Sequence, residues 1–538
     1  MRHRVLLVPL SLALAPFACG GDTTDLPSAS GSTSTSSTGG DPILDAGTPP
    51  PDAPPPPPAC EPTAGGPYWL LEGETVTFTV NCATGIELSE GDISAASLPE
   101  GAVFDPKTRV FSFTPKLDQA ALYGPVFSVA STGEEAYAKI GVADAFADPA
   151  NEPIKKPLAY TEEYGLPVLF LSPPPKTEAY APATVMYRGH TYPVQAKLRG
   201  AASLGYPKKS FTIEFPTVDK FDEPYFAGGF KNKRKIVLIS TFDDNSYVRQ
   251  RLAYDLWNRL DPGHIQIQTY SAVVYLDGAY FGLYTVSDHV DGFLMEDHGL
   301  WQDGNLYKAV DHNANFKLTS NGGGQKQTLH DGYVKREGLP PEGQPGAFKD
   351  LEDLVSFVAT SPSADFLAGV DTWIDRRDYE NWWIFVTFVM GDDSAGKNSY
   401  HYHDPNGGVF RYAPWDFNAS FGQTWQTARK GAAILTEYKN LNRIFERFLD
   451  EPSIGNPLRA RYNDVLQNQF NEKTVLALVD AYVAEIDTSA RRDEGKWKNA
   501  YQSYGGWNWR NDFTTYEEEI VYLKKWISER WAYQDAQY

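Results

Sequence analysis

The chain has 538 residues, more than one ordinary hydrophobic core holds, so two or three folded units are expected. Its net charge of -21 at pH 7 argues against a nucleic-acid-binding protein, because phosphate binding needs a concentrated basic face. Aromatic residues make up 14% of the chain, a share that excludes a wholly disordered protein. Most of the chain is therefore expected to fold.

The first residues have the pattern of an export signal. A positively charged start precedes an apolar run at residues 5–15, which is too short to span a bilayer. The small residues around Cys19 resemble a bacterial lipobox, in which the cysteine is acylated. Residues 1–19 are therefore predicted to be a lipoprotein signal peptide. An ordinary signal peptide is the alternative, because Pro16 and Phe17 depart from the lipobox pattern.

Two segments of different composition follow the signal. Residues 20–59 are rich in Ser, Thr and Gly and then in Pro, which predicts a disordered tether with a stiff polyproline end. Residues 60–147 contain short alternating apolar and polar runs separated by turn residues, which predicts a small all-β sandwich. Cys60 and Cys82 are an even pair in an exported chain and are predicted to form its disulfide, with free buried thiols as the alternative.

The segment Leu98–Pro115 resembles bacterial immunoglobulin-like and cadherin-like modules, with "LPEGAVFD" followed by Thr108 and the closing Thr-Pro pair. The resemblance implies an immunoglobulin-like sandwich that acts as a spacer or a binding module. It carries no catalytic residues of its own.

Residues 155–535 alternate strand-like and helix-like segments and end in helices, which predicts an α+β domain with a helical C-terminal subdomain. Val185–Leu198 predicts a hairpin around Gly189. Asn245–Leu260 predicts an amphipathic helix, with Asp243 and Asp244 as acidic residues at its start.

The first chemically suggestive stretch is a Gly-bearing loop between two predicted strands. It begins at Arg199 and ends at the paired Lys208 and Lys209. Such a loop exposes backbone N–H groups, and the three cations could neutralise an oligophosphate. The alternative interpretation is a hairpin with surface lysines.

The second stretch follows a predicted apolar helix. Asp393 and Asn398 have the spacing of the Asp and Asn of a protein-kinase catalytic loop, where Asp accepts a hydroxyl proton and Asn holds a metal. Asp392 could take the place of Asp393. A solvated Asp/Gly turn is the structural alternative.

The third stretch is a predicted strand end with a rigid Pro-Trp turn. It presents Asp416, a carboxylate suited to Mg²⁺, which takes one or two carboxylates together with substrate phosphates. Asn418 could add an amide oxygen or could cap the turn.

Together these stretches resemble the spore-coat-H (CotH) family of atypical, secreted protein kinases, and the resemblance covers about Tyr160 to Asp487. The motifs that carry it occur in the family's order: "RGAASLGYPKKSFTIEF", "STFDDNSYVRQRLAYDL", "YFGLYTVSDHVD", "NLYKA", "GDDSAGKNSYHYHD" and "APWDFNASFG". The family implies a protein-kinase-like fold that binds ATP with Mg²⁺ or Mn²⁺ and phosphorylates Ser residues of exported proteins.

The resemblance also implies a role for each matched position. The nucleotide-facing cations would be Arg199, Lys208, Lys209 and Lys308; the catalytic base would be Asp393; and the metal ligands would be Asn398, Asp416 and Asn418. Two positions depart from the family. Asp288, expected beside the nucleotide, stands where Glu is usual, and Asn418 stands where a second Asp is usual. The lost charge at residue 418 is expected to weaken Mg²⁺ binding.

The sequence thus predicts an exported kinase of the cell envelope, attached to the membrane through its lipid alone. Its expected substrates are secreted or spore-coat proteins. One alternative is a catalytically inactive scaffold or adhesion lipoprotein, and another is a cell-wall polysaccharide binder. His401 and His403 alternate on one strand and could suggest a metal pair, but hydrogen-bonded histidines are the favoured interpretation.

Overall fold

The computed structural model describes residues 60–83, 86, 88–116, 119, 122–143, 154, 157–164, 166–223, 230–507 and 514–538. The predicted signal peptide with Cys19 and the tether at residues 20–59 lie outside these described residues.

The N-terminal described segment is built from short strands. They are β1 (Pro62–Thr63), β2 (Tyr68–Leu71), β3 (Val76–Thr79), β4 (Asn81–Cys82), β5 (Ile93–Ala96), β6 (Val103–Asp105), β7 (Val110–Phe113), β8 (Leu122–Tyr123), β9 (Val126–Val129), β10 (Glu135–Tyr137) and β11 (Ile140–Ala143). Strand β3 alternates buried and exposed residues, and β7 alternates buried and half-buried ones, so each directs one face inward. Phe78, Phe111 and Phe127 pack together at the centre of this core.

The described part of this segment is β-rich, which is consistent with the all-β sandwich predicted for residues 60–147, and its immunoglobulin-like form stays a prediction. Its strands form small sheets in the orders β10-β9-β5, β2-β11-β8 and β3-β7-β6, with β1 paired to β4. Cys60 and Cys82 form a disulfide with a Cα–Cα distance of 5.2 Å, and both lie in the core.

The next part of the chain forms a large, mostly antiparallel sheet and a separate hairpin. The strands are β12 (Glu162–Glu163), β13 (Leu166–Ser172), β14 (Ala181–Tyr187), β15 (His190–Arg199), β16 (Ser210–Glu214), β17 (Phe221–Glu223), β18 (Phe230–Lys233), β19 (Lys235–Ile239), β20 (Thr269–Leu276) and β21 (Ala279–Asp288). The predicted hairpin around Gly189 is confirmed, because β14 and β15 pair from Tyr187 and His190 outward.

The large sheet closes on itself. Its order is β12-β13-β14-β15-β16-β19-β21-β20, and β13 pairs with β20 as well as with β14. The β13–β20 pair is parallel, with Val168 opposite Val273, whereas the other strand pairs of the large sheet are antiparallel. Phe211, Ile213 and Tyr284 belong to the buried cluster inside this closed sheet. Closure leaves few unpaired strand edges and holds the end of β15 in a fixed position.

A second sheet and a set of helices complete the chain. The strands are β22 (Asn305–Ala309), β23 (Tyr333–Glu337), β24 (Ser399–His403) and β25 (Arg411–Pro414), in the order β23-β22-β24-β25. The helices are α1 (Arg249–Leu260), α2 (Gly292–Asp297), α3 (Lys349–Thr360), α4 (Ser363–Trp373), α5 (Arg376–Val389), α6 (Arg443–Asp450), α7 (Pro452–Gln467), α8 (Glu472–Gln502) and α9 (Tyr516–Asp535). The predicted helical C-terminal part is therefore present, and one large hydrophobic core joins these helices to the sheets.

Helix α1 begins four residues later than the sequence predicted. The chain from Thr241 to Val248 forms turns instead, and Thr241 has a φ of 50°. The Asp244 carboxylate accepts hydrogen bonds from the backbone N–H groups of Ser246 and Arg249. Because these bonds hold residues 244–249 in a turn, Asp244 stabilises the start of the helix while Asp243 points elsewhere.

Among the described residues, none of the helices combines the length and the apolar composition that a bilayer crossing requires.

Candidate functional site

Asp416 lies at the centre of the candidate site, two residues after β25 ends. Its backbone has a φ of 61°, and its N–H donates a 3.1 Å hydrogen bond to the Tyr254 hydroxyl. A non-glycine residue with positive φ is strained, and such strain persists where neighbouring contacts hold it. Burial raises the pKa of the Asp416 carboxyl, against the opposing charges of Arg199 and Lys308.

Two cations lie against the indole of Trp415, the residue before Asp416. The Arg199 guanidinium is 4.9 Å from the ring centroid, and the Lys308 ammonium is 5.7 Å from it. Lys308 also lies 5.5 Å from the centroid of Tyr400. Arg199 ends β15 and Lys308 lies on β22, so the two sheets each contribute one cation beside the same carboxylate. Aromatic faces attract such cations and hold them in place.

Asp393 lies in the turn after helix α5, close enough to Asp416 for its charge to raise the Asp416 pKa. Its carboxylate accepts hydrogen bonds from Asn398 at 2.9 Å and Lys397 at 3.1 Å, and His312 lies 3.2 Å away. Burial alone would raise the pKa of Asp393. The contacts with His312 and Lys397 outweigh burial, so the pKa lies below its ordinary value and Asp393 is ionised at neutral pH.

The neighbouring Asp392 is placed differently. Its carboxylate accepts a 2.6 Å hydrogen bond from the Tyr438 hydroxyl and pairs with Lys430. Its side chain is 42% exposed, whereas that of Asp393 is 13% exposed. The structure therefore favours Asp393 over Asp392 as the residue that faces Asp416.

Asn418 contacts a carboxylate that the sequence had assigned to a helix start. Its amide N–H donates to Asp243, which also accepts a 3.2 Å hydrogen bond from the Tyr206 hydroxyl. Burial and the charge of Asp416 raise the pKa of Asp243 to about 7. Asp243 was missed because both acids of the pair Asp243 and Asp244 were interpreted as helix-capping residues.

Further cations extend the positive region around Arg199 and Lys308. The pKa of Lys197 is lowered by burial and by the nearby charges of Lys235 and Arg336. Lys235 pairs with Asp291 at 3.3 Å and with Glu214 at 3.8 Å, so carboxylates compensate part of the charge of the three cations. These three side chains were missed because their separate strands give no local sequence motif.

The residues of this site lie within a range that matches a known protein family. The family model described as "CotH kinase protein" matches residues 196–534, more than half of the chain. The chain belongs to this family. It is also similar to the inner spore coat protein H of Bacillus subtilis (strain 168), with 27% identity over 290 residues. That similarity covers 54% of this chain and 75% of the Bacillus protein.

Lys208 and Lys209, the paired lysines of the CotH motif, do not lie together at the site. The Lys208 ammonium is 2.8 Å from the Asp493 carboxylate and 2.6 Å from the Leu283 carbonyl oxygen, with no exposed surface. Contact between Lys208 and a phosphate would require this buried ion pair to open, so we leave Lys208 out of the candidate site. Lys209 donates to the Leu204 carbonyl oxygen at 2.6 Å and stabilises the loop itself.

Asp288 pairs with a lysine, but not with one of the CotH-motif lysines. Its carboxylate is 3.0 Å from the Lys233 ammonium and accepts a 2.7 Å hydrogen bond from the Gln268 N–H. Burial raises the Asp288 pKa, and the side chain is 2% exposed. These contacts anchor the end of β21, and we also leave Asp288 out of the nucleotide-facing set.

The strand histidines form structural hydrogen bonds. His401 is fully buried between the Tyr379 hydroxyl at 2.8 Å and the Ser399 hydroxyl at 3.2 Å. His403 lies 2.6 Å from the Asp350 carboxylate. In the part of the chain that the structure describes, no group of three or more His, Cys, Asp or Glu side chains is arranged to hold a metal ion.

The oxygen ligands around Asp416 nevertheless fit a divalent cation that arrives with a nucleotide. Among the described residues, no Lys, Arg or His lies within 4.0 Å of the Asp416 carboxylate, and none donates a hydrogen bond to it. Mg²⁺ prefers hard oxygen ligands and takes one or two carboxylates while phosphates and waters fill the remaining positions. Asp416, Asp243 and the amide oxygens of Asn398 and Asn418 offer such ligands.

Proposed function

We propose that this CotH-family chain is an exported protein kinase that transfers the γ-phosphate of ATP to Ser hydroxyl groups of envelope or coat proteins. The observation that carries the proposal is the meeting of Asp393, Asp416, Arg199 and Lys308 at one place. These residues come from distant parts of the chain and combine a hydroxyl-binding carboxylate, a metal-binding carboxylate and two phosphate-binding cations.

The cations would bind the triphosphate. Arg199 and Lys308 lie on different sheets and both contact Trp415, so a phosphate chain beside Trp415 would be neutralised by a cation from each sheet. Lys197 and Arg336 would add positive potential near it, whereas Asp291 and Glu214 compensate the charge of Lys235.

Asp393 would orient the acceptor hydroxyl for in-line attack. The Ser oxygen forms a bond to the γ-phosphorus, the bond from the γ-phosphorus to the bridging oxygen of ADP breaks, and Asp393 receives the hydroxyl proton. Its contacts with Lys397, Asn398 and His312 fix the direction of its carboxylate. A base with a lowered pKa accepts the proton late in the transfer, which suits the loose transition state of phosphoryl transfer.

Asp416 would be the principal ligand for Mg²⁺ or Mn²⁺, with Asn398 and Asn418 within the same oxygen-rich region. When bound, the cation supplies positive charge to the phosphates and the leaving group. The residues of this chain supply its position, because the backbone of Asp416 is fixed by Tyr254.

Export and lipid attachment at Cys19 are part of the proposal. The Cys60–Cys82 disulfide supports export, because disulfides persist in oxidising compartments outside the cytosol. The similarity to an inner spore coat protein supports a substrate in a coat or envelope layer.

A catalytically inactive scaffold is the second candidate, and residue 418 favours it. The CotH-family pattern has a carboxylate there, and this chain has an amide. A scaffold would keep the fold and its contacts and would lose phosphoryl transfer.

Labelled ATP separates the two functions. Purified full-length protein would be incubated with γ-labelled ATP and Mg²⁺ or Mn²⁺, with self-labelling and labelling of a Ser-rich acceptor peptide as readouts. Label is expected in the natural chain and is expected to fall at least about 100-fold in Asp416→Asn and Asp393→Asn. Asp392→Asn is the matched control, since its carboxylate pairs with Lys430 and Tyr438. Equal label in the natural chain and Asp416→Asn would support the scaffold.

A further inference from the structure

The amide of Asn418 contacts a carboxylate from a different part of the chain. Residue 418 lies two positions after Asp416, where the CotH-family pattern has a second Asp. In this chain the Asn418 side chain donates a hydrogen bond to the Asp243 carboxylate. A carboxylate is therefore present beside Asp416, but it comes from residue 243 and not from residue 418.

Asp243 and Asp416 lie close enough for the charge of Asp416 to act on Asp243, and the Asn418 side chain joins their two segments. Asp243 is 7% exposed, and the charge of Asp416 acts on it together with burial. Across the described part of the chain, no Lys, Arg or His lies within 4.0 Å of either carboxylate. Two neighbouring carboxylates in a region of low dielectric repel each other, and a divalent cation between them would compensate both charges.

The backbone around both carboxylates is strained and is held by shared contacts. Thr241 and Asp416 have φ values of 50° and 61°, which are unfavourable for residues other than glycine. The Gln423 amide donates to the carbonyl oxygens of Asp243 at 2.7 Å and Asn418 at 3.3 Å. One side chain thereby fixes the segment of Asp243 against the segment of Asn418, and strain of this kind concentrates at functional sites.

A purely structural role for Asp243 is already filled by its neighbour. Asp244 accepts hydrogen bonds from the Arg249 and Ser246 N–H groups and forms a 2.6 Å ion pair with the Arg249 guanidinium. Asp243 has no such ion pair among the residues that are described. Of the two adjacent acids, Asp244 stabilises the turn and the helix start, whereas the Asp243 carboxylate accepts hydrogen bonds from Tyr206 and from Asn418 beside Asp416.

We propose that Asp243, and not residue 418, supplies the second carboxylate of the metal site in this chain. Asn418 orients Asp243 toward Asp416. This inference rests on the proposed function of the site. It explains how a CotH-family chain with an amide at residue 418 keeps two carboxylates for a divalent cation.

Binding of Mn²⁺ tests the exchange without relying on catalysis. Manganese affinity of the full chain would be measured by electron paramagnetic resonance with a non-hydrolysable ATP analogue present. Asp243→Asn is expected to weaken Mn²⁺ binding about 10- to 100-fold. The double variant Asp243→Asn with Asn418→Asp is expected to recover most of that loss, and Asp392→Asn is the control that leaves affinity unchanged.

Each outcome decides between named possibilities. Unchanged Mn²⁺ affinity in Asp243→Asn together with a loss in Asp416→Asn would overturn the role of Asp243 and leave the proposed kinase function intact. Weak binding in Asp243→Asn that the double variant does not recover would overturn the exchange of roles. Absence of Mn²⁺ binding in the natural chain, with no labelling from ATP, would reject the proposed function itself.

Discussion

Replacement of Asp243 by Asn is expected to stabilise the protein at alkaline pH, because the natural carboxylate is costly to ionise where it lies. Its pKa is raised from 3.8 to about 7 by burial and by the charges of Asp416 and Asp244. Asn has nearly the same shape, and its amide oxygen can accept the hydrogen bonds from Tyr206 and Asn418 that Asp243 accepts now. The substitution therefore removes the charge and keeps the contacts.

The pKa shift determines both the sign and the size of this effect. When folding raises the pKa of a carboxyl group, the folded state favours the protonated form. The resulting contribution to the free energy of unfolding is complete below the unfolded pKa and is lost as pH rises through the folded pKa. With a pKa of about 7 in the folded protein and 3.8 in the unfolded chain, ionisation of Asp243 costs the folded protein about 4 kcal/mol at pH 8 and about 1.5 kcal/mol at pH 5. The advantage of Asp243→Asn over the natural chain is thus expected to grow by about 2 to 3 kcal/mol between pH 5 and pH 8.

Urea denaturation at both pH values measures this difference, and other titrating groups cancel in the comparison of the two proteins. Asp392→Asn serves as a control, because that carboxylate is partly exposed and paired with Lys430, so its effect should stay within about 0.5 kcal/mol. Measurements are made without divalent cations. A destabilised Asp243→Asn at pH 8, or an advantage that did not change with pH, would show that ionisation of Asp243 carries no cost in the folded protein.

Two further substitutions test the fold. Lys208→Met leaves the buried Asp493 carboxylate without its cation and is expected to lower the free energy of unfolding, measured by urea denaturation, by about 3 to 5 kcal/mol. Adding Asp493→Leu should recover part of the loss. An equal loss in the single and the double variant would contradict the ion pair. Cys82→Ser opens a disulfide between residues separated by 22 positions and is expected to destabilise the N-terminal β-rich segment by about 3 kcal/mol, with no effect on Mn²⁺ binding. A change in Mn²⁺ affinity would show that the two parts are coupled.

Local elements of the fold were predictable because short-range sequence patterns determine them. The hairpin of β14 and β15 was identified from its central Gly189, and the structure places the turn there. The start of helix α1 was predicted four residues too early, because the Asp244 side chain accepts hydrogen bonds from the Ser246 and Arg249 N–H groups and holds a turn where helix was expected. Closure of the large sheet depends on the parallel pairing of β13 with β20, and contacts so distant in sequence leave no local pattern.

The candidate site was predictable where each residue sits in a rigid local motif. Asp393 and Asp416 follow strongly apolar segments that fix their turns, and the structure brings them close enough to influence each other's charge. Lys208 could not be assigned correctly, because its partner Asp493 lies 285 positions away on α8. Asp243 was missed for a similar reason, since its neighbour Asn418 is 175 positions away.

A crystal structure with Mn²⁺ and a non-hydrolysable ATP analogue would show where metal and nucleotide bind, because manganese can be located by its anomalous scattering. We expect a manganese peak at coordination distance from the Asp416 carboxylate, with Asp243 as its second carboxylate and the phosphates against Arg199 and Lys308. A nucleotide bound elsewhere, or manganese that does not contact Asp416, would contradict this expectation.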